Sequence, residues 1–306
     1  MTRRHALLVL LLAAGACTDA DPLGPDDTLP RYDLVFSGRD ATSRNVLVRA
    51  SADGSSSAMI GAGIEGIQPV AASDGRSIVY VAPNGSWSSP ELRLLQDGAS
   101  EPVWFGSERG ASEREISFSP DGRRVVMMRA DDDPLGDIVV AKVSGARLTD
   151  LVNLTPNPDP YEHFAPERTP AWSPDGEWIA FATYRSGTPA IWIMRADGSQ
   201  ARQLTASGDH GDFLPSWSPD GREIAFQRTD ASGVRVGIVN VATGVVRMLP
   251  VAGARAPAWH PVDGVIAVAA VIDHEEDIVV VAADDGRILS RVSRPGQDRD
   301  PAWIRR

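Results

Sequence analysis

The amino-acid sequence predicts an all-β protein, a six-bladed β-propeller with four-stranded antiparallel blades. Two periodic features carry this prediction. A turn motif typified by SPDG recurs along the chain, and a second glycine turn accompanies it at nearly the same spacing. Four short strands in each repeat of roughly 45 residues are typical of propellers.

The first element is the hairpin around the SPDG turn, clearest in TPAWSPDGEWIAF at residues 169 to 181. Pro174 fixes one backbone dihedral of the turn, Asp175 can accept hydrogen bonds from nearby N–H groups, and Gly176 takes the left-handed conformation. The flanking aromatic and β-branched residues suit a half-buried strand. The stretch therefore predicts a short hairpin with a bulge, which needs neighbouring strands for stability.

The repeat is counted from the mostly aromatic residue that ends the strand before each turn. These markers are Ala71, Phe118, Trp172, Trp217, Trp259 and Trp303, at spacings of 47, 54, 45, 42 and 44 residues. We expect the four tryptophans to pack between blades. The second turn confirms the count at Gly54, Gly98, Gly145, Gly198, Gly244 and Gly286.

The two ends of the repeat region complement each other. Residues 31 to 60 contain the last three strands of a repeat, whereas residues 299 to 303 contain only a first strand. Pairing them would build one blade from both termini and satisfy backbone groups on otherwise open sheet edges. Residues 31 to 306 are therefore predicted to form a single propeller domain.

The N-terminal segment predicts export. Arg3 and Arg4 precede an apolar stretch that ends at residue 16 and is too short to span a bilayer. Small residues before Cys17 resemble the lipobox of bacterial lipoproteins, which implies a signal peptide at 1–16 and a lipidated Cys17. The alternative is an ordinary signal peptide in which Cys17 has no role.

The other features of the N-terminal segment are consistent with a lipid anchor. Cys17 is the only cysteine, so no internal disulfide can form, and an unpaired thiol in an exported protein needs an explanation. Residues 17 to 30 then comprise the lipidated cysteine and a polar, proline-rich tether. We predict a periplasm-facing location in the bacterial cell envelope, with the outer membrane favoured because Thr18, not an aspartate, follows the cysteine.

Charge restricts the partners. The chain has 30 basic and 41 acidic residues, and without residues 1 to 16 its net charge is −13, from 28 basic and 41 acidic residues. Such a surface disfavours nucleic acid and anionic lipid as binding partners.

No catalytic motif is recognisable. The chain lacks a G-x-S-x-G elbow, and His274 is not followed by a second histidine at zinc-ligand spacing. GAGIEG at residues 61 to 66 matches the dinucleotide fingerprint, but a strand with Pro69 follows where a phosphate-binding helix should begin. We therefore predict no catalytic residue, no cofactor and no bound metal.

The candidate binding site is the mouth of the central channel, because the first strand of each blade lines the channel. Arginines stand four residues before several markers, acids stand five before, and further polar residues lie in neighbouring loops. The candidates are Glu113, Arg114, His163, Glu167, Arg168, His210, Asp212, Arg255, Asp298, Arg299 and Asp300.

Three readings of this set remain open. Arginines could bind a peptide terminus, an acidic loop or a small polar ligand, and carboxylates with histidines could hold a divalent metal. In the third reading each acid caps its own loop and each arginine pairs locally. The longer connection at residues 156 to 168 is a separate candidate for binding, because loops on rigid scaffolds often bind.

The repeat resembles a known family. The P-x-W-S-P-D-G, I-A-F and I-W-x-M-x-x-D-G runs, clearest at residues 170 to 205, are similar to the WD40-like repeat of the TolB-type propellers. The resemblance covers about residues 31 to 306 and implies the fold. Propellers of this type serve as protein-binding scaffolds, peptidase accessory domains and sugar-lyase folds. TolB also carries an α/β domain before its blades, so its partner contacts are not carried over.

These observations lead to one main hypothesis and two alternatives. We expect a monomeric, non-catalytic, lipid-anchored propeller that binds another envelope protein or a peptide segment, and contacts the bilayer through Cys17. The first alternative is a metal-dependent, lyase-like propeller using His163, His210 and nearby carboxylates. The second is an exported sensor of a small ligand.

Overall fold

The computed structural model describes residues 32–61, 64–72, 74–85, 87, 90–130, 135–156 and 166–306. The predicted signal peptide, Cys17, the tether and His163 lie outside these residues. The described chain forms 24 strands in six four-stranded antiparallel sheets. The predicted all-β, six-bladed propeller is therefore confirmed.

Blade 1 combines the last strand with the first three: β24 (Arg299–Arg305), β1 (Tyr32–Arg39), β2 (Asn45–Ser51) and β3 (Ser57–Met59). Blade 2 contains β4 (Ile67–Ala71), β5 (Ile78–Pro83), β6 (Pro90–Leu95) and β7 (Val103–Trp104). Blade 3 contains β8 (Glu113–Phe118), β9 (Arg124–Arg129), β10 (Asp137–Ser144) and β11 (Arg147–Asn153).

The remaining blades follow the same order. Blade 4 contains β12 (Glu167–Trp172), β13 (Trp178–Thr183), β14 (Ala190–Arg195) and β15 (Arg202–Gln203). Blade 5 contains β16 (Gly211–Trp217), β17 (Glu223–Asp230), β18 (Gly233–Asn240) and β19 (Val246–Met248). Blade 6 contains β20 (Arg255–Trp259), β21 (Val265–Ile272), β22 (Glu275–Ala282) and β23 (Ile288–Val292).

The ring closes through blade 1, as the complementary termini predicted. Strand β24 pairs antiparallel with β1, with Leu34 opposite Trp303 and Tyr32 opposite Arg305. The first strands of neighbouring blades contact each other around the whole ring. The C-terminal strand is therefore an integral inner strand of the propeller.

The SPDG turn has the predicted contacts. In blade 4, the Gly176 N–H donates to the Ser173 carbonyl at 3.0 Å, and Gly176 has a φ of 75°. The Ser173 hydroxyl donates to Asp175 at 2.5 Å and accepts from the Trp178 N–H at 2.9 Å. Blade 6 has His260 in place of the serine, and its Nδ1 accepts from two turn N–H groups at 3.0 and 3.3 Å.

The core lies between blades. One buried cluster, for example, combines Val126 and Ile138 of blade 3 with Trp172, Phe181 and Met194 of blade 4. The markers Trp172, Trp259 and Trp303 are buried as expected, with exposed fractions of 6, 8 and 5%, and Trp217 is partly buried. The indole N–H groups of Trp217 and Trp303 each donate to a carbonyl of the preceding blade, at 3.0 and 2.9 Å.

Two faces follow from the strand directions. Each first strand begins on the face that we call the mouth face, and in blades 2 to 6 it ends at an SPDG-type turn, which defines the turn face. Within the described residues, no helix is long and apolar enough to cross a bilayer.

Deleting residues 299–306 should lower the melting temperature by about 10 °C or more. The deletion removes Trp303 and Ile304 from the core, and truncating one buried tryptophan alone costs about 3–5 kcal/mol, where 1 kcal/mol corresponds to about 2–4 °C. Circular dichroism melting measures the change. Removing only the exposed Arg306 is the control, and similar melting of all three proteins would contradict a structural role of β24.

Candidate functional site: the channel mouth

The six first strands surround a central cavity of about 160 Å³. Five prolines contribute to its wall, together with one left-handed residue from each blade. These left-handed residues are Gln68, Glu115, Thr169, Leu214, Ala256 and Asp300, with φ between 48° and 53°. Each first strand therefore has a register irregularity at the same place, where the strand faces the channel.

Neighbouring blades stabilise these irregular residues. The Thr169 N–H donates to Glu115 Oε2 at 2.7 Å, and the Leu214 N–H donates to Thr169 Oγ1 at 3.2 Å. The Ala256 N–H finds an acceptor in Gln227 Oε1 at 3.2 Å. The strand irregularity thus leaves N–H groups that are satisfied across the blade boundary, as buried backbone requires.

The mouth is formed by the residue that immediately precedes each left-handed residue. The six residues at this level are Arg299, Ile67, Arg114, Arg168, Phe213 and Arg255, in the order of blades 1 to 6. The arginines therefore form two pairs, on blades 6 and 1 and on blades 3 and 4. These pairs lie on opposite sides of the ring, with one apolar residue between them on each side.

The first pair shares one carboxylate. Arg255 and Arg299 both contact Glu276, a buried residue of β22, and Arg299 Nε lies 3.2 and 3.3 Å from its two oxygens. Burial and the neighbouring Arg299 lower the pKa of Arg255. Asp300 lies in β24, not in a loop as expected, and burial raises the pKa of its carboxyl.

The second pair has little contact with carboxylates of the described residues. Arg168 Nη1 lies 3.6 Å from Glu115, and the Arg168 side chain is 44% exposed. Arg114 donates through Nη2 to Ser112 at 2.9 Å, and its Nε has no hydrogen-bond partner among the described residues. Arg168 therefore presents exposed donors to a ligand, whereas the unpartnered Arg114 Nε is buried.

The acids five residues before the markers lie behind the arginines. Their exposed fractions are at most 4%. Asp212 forms a bidentate pair with Arg228 at 2.7 Å, Glu167 contacts Arg185 at 2.7 Å, and Glu113 accepts from Ser107. The expected alternation of acidic and basic groups around one open rim is therefore absent at these positions, because each of these acids faces a local partner inside its blade.

Asp298, the fourth acid of this set, is fully buried and lies 2.8 Å from Arg294 Nη1. Its second oxygen has no hydrogen-bond partner among the described residues, and neither has one oxygen of the buried Asp277. Burial raises the pKa of Asp298 to about 6, with Arg294 opposing the shift and Asp277 adding to it.

The histidines are not brought together in the described chain. His210 Nε2 lies 3.2 Å from the Ala206 carbonyl and 3.9 Å from Asp212, whereas His163 is outside the described residues. Among the residues the structure describes, no group of three or more histidine, cysteine or carboxylate side chains is arranged to hold a metal ion.

Several residues of the mouth were not predicted from the sequence. Glu276 lies in HEED, a stretch that we considered only for zinc spacing, and Arg294 lies in the loop before β24. Phe213 packs near Tyr184, with ring centroids 6.4 Å apart. Glu115 occupies the same repeat position as Asp300, so the repeat alignment alone could have identified it.

Six four-stranded blades around a central channel define a six-bladed β-propeller. The model of the TolB beta propeller domain matches residues 34–305. The chain therefore belongs to this family.

Individual relatives agree on the fold. TolB from Acinetobacter baumannii superimposes with a TM-score of 0.74 at 20% identity, over 91% of this chain and 67% of that one. A protein described as TolB from Agrobacterium tumefaciens gives 0.65 at 16% identity, over 90% and 97%. An oligogalacturonate lyase from Vibrio parahaemolyticus gives 0.55 at 13%, over 85% and 74%.

Sequence similarity to a curated relative is confined to a short segment. An uncharacterized protein of Agrobacterium fabrum is 44% identical over 45 residues, and the match spans 15% of each chain. A repeat-length match of this kind supports the repeat and carries no function.

Replacing Asp298 with asparagine should reduce the pH dependence of stability between about pH 4 and 6. The folded pKa of about 6 lies above the ordinary value of 3.8 for an aspartate, so the folded state binds the proton more tightly. The contribution of Asp298 is therefore greatest below about pH 4 and is lost as the pH rises through 6. Two pKa units correspond to about 3 kcal/mol.

Urea unfolding of wild type and variant at several pH values tests this prediction. The variant should gain stability relative to wild type between pH 4 and 7. The turn carboxylates do not mimic this change, because the Ser218 hydroxyl lowers the pKa of Asp220 and moves its effect below pH 3.8. A constant difference between the two proteins would show that Asp298 is ionised throughout this range.

Proposed function

We propose that this protein is a lipid-anchored, non-catalytic scaffold of the bacterial envelope, whose channel mouth binds a carboxylate-bearing segment of another envelope protein. The observation that carries the proposal is the pair of arginine clusters on opposite sides of one opening. They are supplied by Arg255 with Arg299 and by Arg114 with Arg168.

The chemistry of the mouth favours an acidic ligand. The guanidinium group presents a planar fork of donors that matches a carboxylate in two hydrogen bonds. Arg168 and Arg299 have side-chain exposures of 44 and 50%, so part of each fork is open to solvent. Among the described residues, the four arginines have two carboxylates within 4 Å, because Arg255 and Arg299 share Glu276 and Arg168 lies near Glu115. A partner carboxylate would therefore meet positive charge that is only partly compensated.

Apolar groups between the arginine pairs favour a peptide over a small inorganic anion. Phe213 lies at mouth level and packs near Tyr184, whose exposed fraction is 37%. Aromatic and arginine side chains together are the residues enriched at the energetic centres of protein interfaces. A peptide segment in which acidic residues flank an apolar residue would contact both the arginines and the aromatic side chains of the mouth.

The remaining parts of the proposal come from sequence. Membership of the TolB propeller family supports an envelope location and binding to protein partners, and the lipobox-like residues before Cys17 support the anchor. The ring closes on its own termini, which supports a monomer. The net charge of −13 after processing disfavours nucleic acid.

A photoreactive residue at Arg168 or Arg299 should crosslink to one dominant envelope protein in intact cells. Both positions are open at the mouth, whereas Asp298 is fully buried and unsuitable for the probe. The matched control position is Arg222 on the turn face, with 82% side-chain exposure. Mass spectrometry identifies the adducts, and the same adducts from Arg222 would argue against mouth binding.

Binding to the identified partner should weaken about tenfold on Arg168→Ala or Arg299→Ala, corresponding to about 1.4 kcal/mol for one exposed arginine at an interface. Arg222→Ala should leave the affinity unchanged. Isothermal titration calorimetry measures the three proteins at the same salt concentration. Equal affinities would exclude the mouth arginines from the interface.

Cys17→Ser should abolish labelling of the protein by radioactive palmitate and release it from the membrane fraction. Cys17 is the only cysteine, so no other thiol can carry the acyl chain. Labelling is measured by autoradiography of the immunoprecipitated protein. Continued labelling and membrane retention of the variant would contradict the proposed anchor.

A further inference from the structure

The position of Tyr32 determines where the propeller meets its N-terminal segment. Tyr32 pairs with Arg305 at the end of β24, which is the turn-face end of blade 1. Its ring also packs against His260, the residue that replaces serine in the turn of blade 6, with centroids 4.6 Å apart. The chain therefore enters the described fold on the turn face, opposite the mouth.

The entry point also lies toward the inside of the ring. Strand β1 is the second of four strands in its blade, with β2 and β3 outside it. Strands in a sheet are about 4.8 Å apart, so a segment leaving Tyr32 must cross about 10 Å before it passes the outer edge of blade 1.

The length of the preceding segment limits its reach. Fourteen residues separate Cys17 from Tyr32. At no more than about 3.3–3.6 Å per residue, they span at most about 50 Å in any conformation. Reaching the mouth face would require the 10 Å to the outer edge and then about 25 Å along the blade, the length of the eight-residue β1.

We propose that the propeller is held with its turn face toward the lipid bilayer and its channel mouth facing away from it. This inference rests on the proposed lipid anchor at Cys17. The opposite orientation would use about 35 Å of the roughly 50 Å reach, so it requires a segment stretched to about 70% of its maximum length. Extending the segment lowers its conformational entropy, whereas the proposed orientation leaves most of its conformations accessible.

This orientation has a consequence for binding. Arginine forks bind phosphate as well as carboxylate, so a mouth held against the bilayer would expose Arg168 and Arg299 to lipid headgroups. With the mouth facing away, these side chains are available to a protein. The turn face is placed beside the lipid by the tether, and no specific affinity of the acidic domain for anionic lipid is required.

Energy transfer from two matched sites on blade 6 tests the orientation. Val262 lies in the turn after Trp259 and has an exposed fraction of 59%, whereas Val271 lies at the mouth-face end of β21 and has an exposed fraction of 49%. Val262→Cys and Val271→Cys each introduce a single free thiol when Cys17 is lipidated. A maleimide fluorophore is attached to each lipidated protein after purification.

The labelled proteins are reconstituted into phosphatidylcholine–phosphatidylglycerol vesicles that contain an acceptor on the lipid headgroup. We expect roughly twofold or greater transfer from position 262 relative to position 271, because the two ends of the blade are about 25 Å apart. A second turn-face site, Val245→Cys with an exposed fraction of 66%, should behave like position 262. Circular dichroism checks that each variant retains the fold.

The outcomes separate the orientation from the anchor. Equal transfer from both ends, or stronger transfer from position 271, in protein that floats with the vesicles would overturn the orientation and leave the anchor intact. Protein that neither floats nor shows transfer at any site would overturn the anchor and the orientation together. Efficient transfer from positions 262 and 245, with flotation, supports both.

Discussion

The pairing between β24 and β1 is the interaction on which the rest of the structure depends. Each blade buries its hydrophobic faces against two neighbours, so a missing inner strand in one blade would expose the cores on both sides of it. Residues Trp303 and Ile304 of β24 are buried when this strand completes blade 1. The same pairing brings the chain's last inner strand beside blade 6, where Arg299 meets Glu276. The pairing of β24 with β1 therefore both closes the ring and completes the mouth.

The inner strands adapt to the ring by a repeated backbone irregularity. A left-handed residue in each first strand shifts the register, and in several blades its N–H donates to a side-chain oxygen of the preceding blade. Non-glycine residues adopt this conformation only at some cost. Here the cost is offset by hydrogen bonds that link blades, so the irregularity contributes to the cohesion of the ring and determines the level at which the arginines meet.

The distribution of charge at the mouth follows from how deeply each charged side chain is buried. Acids such as Asp212 lie one position earlier in the repeat than the mouth-level residues and are buried. A buried carboxylate needs a partner, which Arg228 supplies for Asp212. The arginines at mouth level have long side chains that can keep their charged ends in solvent. A surface with an overall negative charge thus carries local positive charge at one opening. This separation suits recognition of an acidic segment by a protein that otherwise repels polyanions.

Much of the propeller architecture could be predicted from the sequence, because it depends on local turn chemistry and on the spacing of the repeat. The SPDG turn requires a proline, an acceptor and a glycine at fixed positions, and its recurrence with aromatic markers determined the blade count, the strand count and the closure by both termini. Arg168 and Arg299 could be placed near one opening for the same reason, since equal repeat positions lie at equal depth in a ring.

Tertiary structure alone decided which charges pair. The acids and arginines of the first strands are adjacent in sequence, but alternate residues of a strand point to opposite sides. The acids therefore meet partners elsewhere in the blade, such as Arg185 in the loop after β13 and Arg228 on β17. Glu276 joins Arg255 and Arg299 only because blades 6 and 1 meet at the closure. The sequence by itself determined the ring and the depth of each residue, whereas side-chain partners depend on contacts between distant strands that no local pattern records.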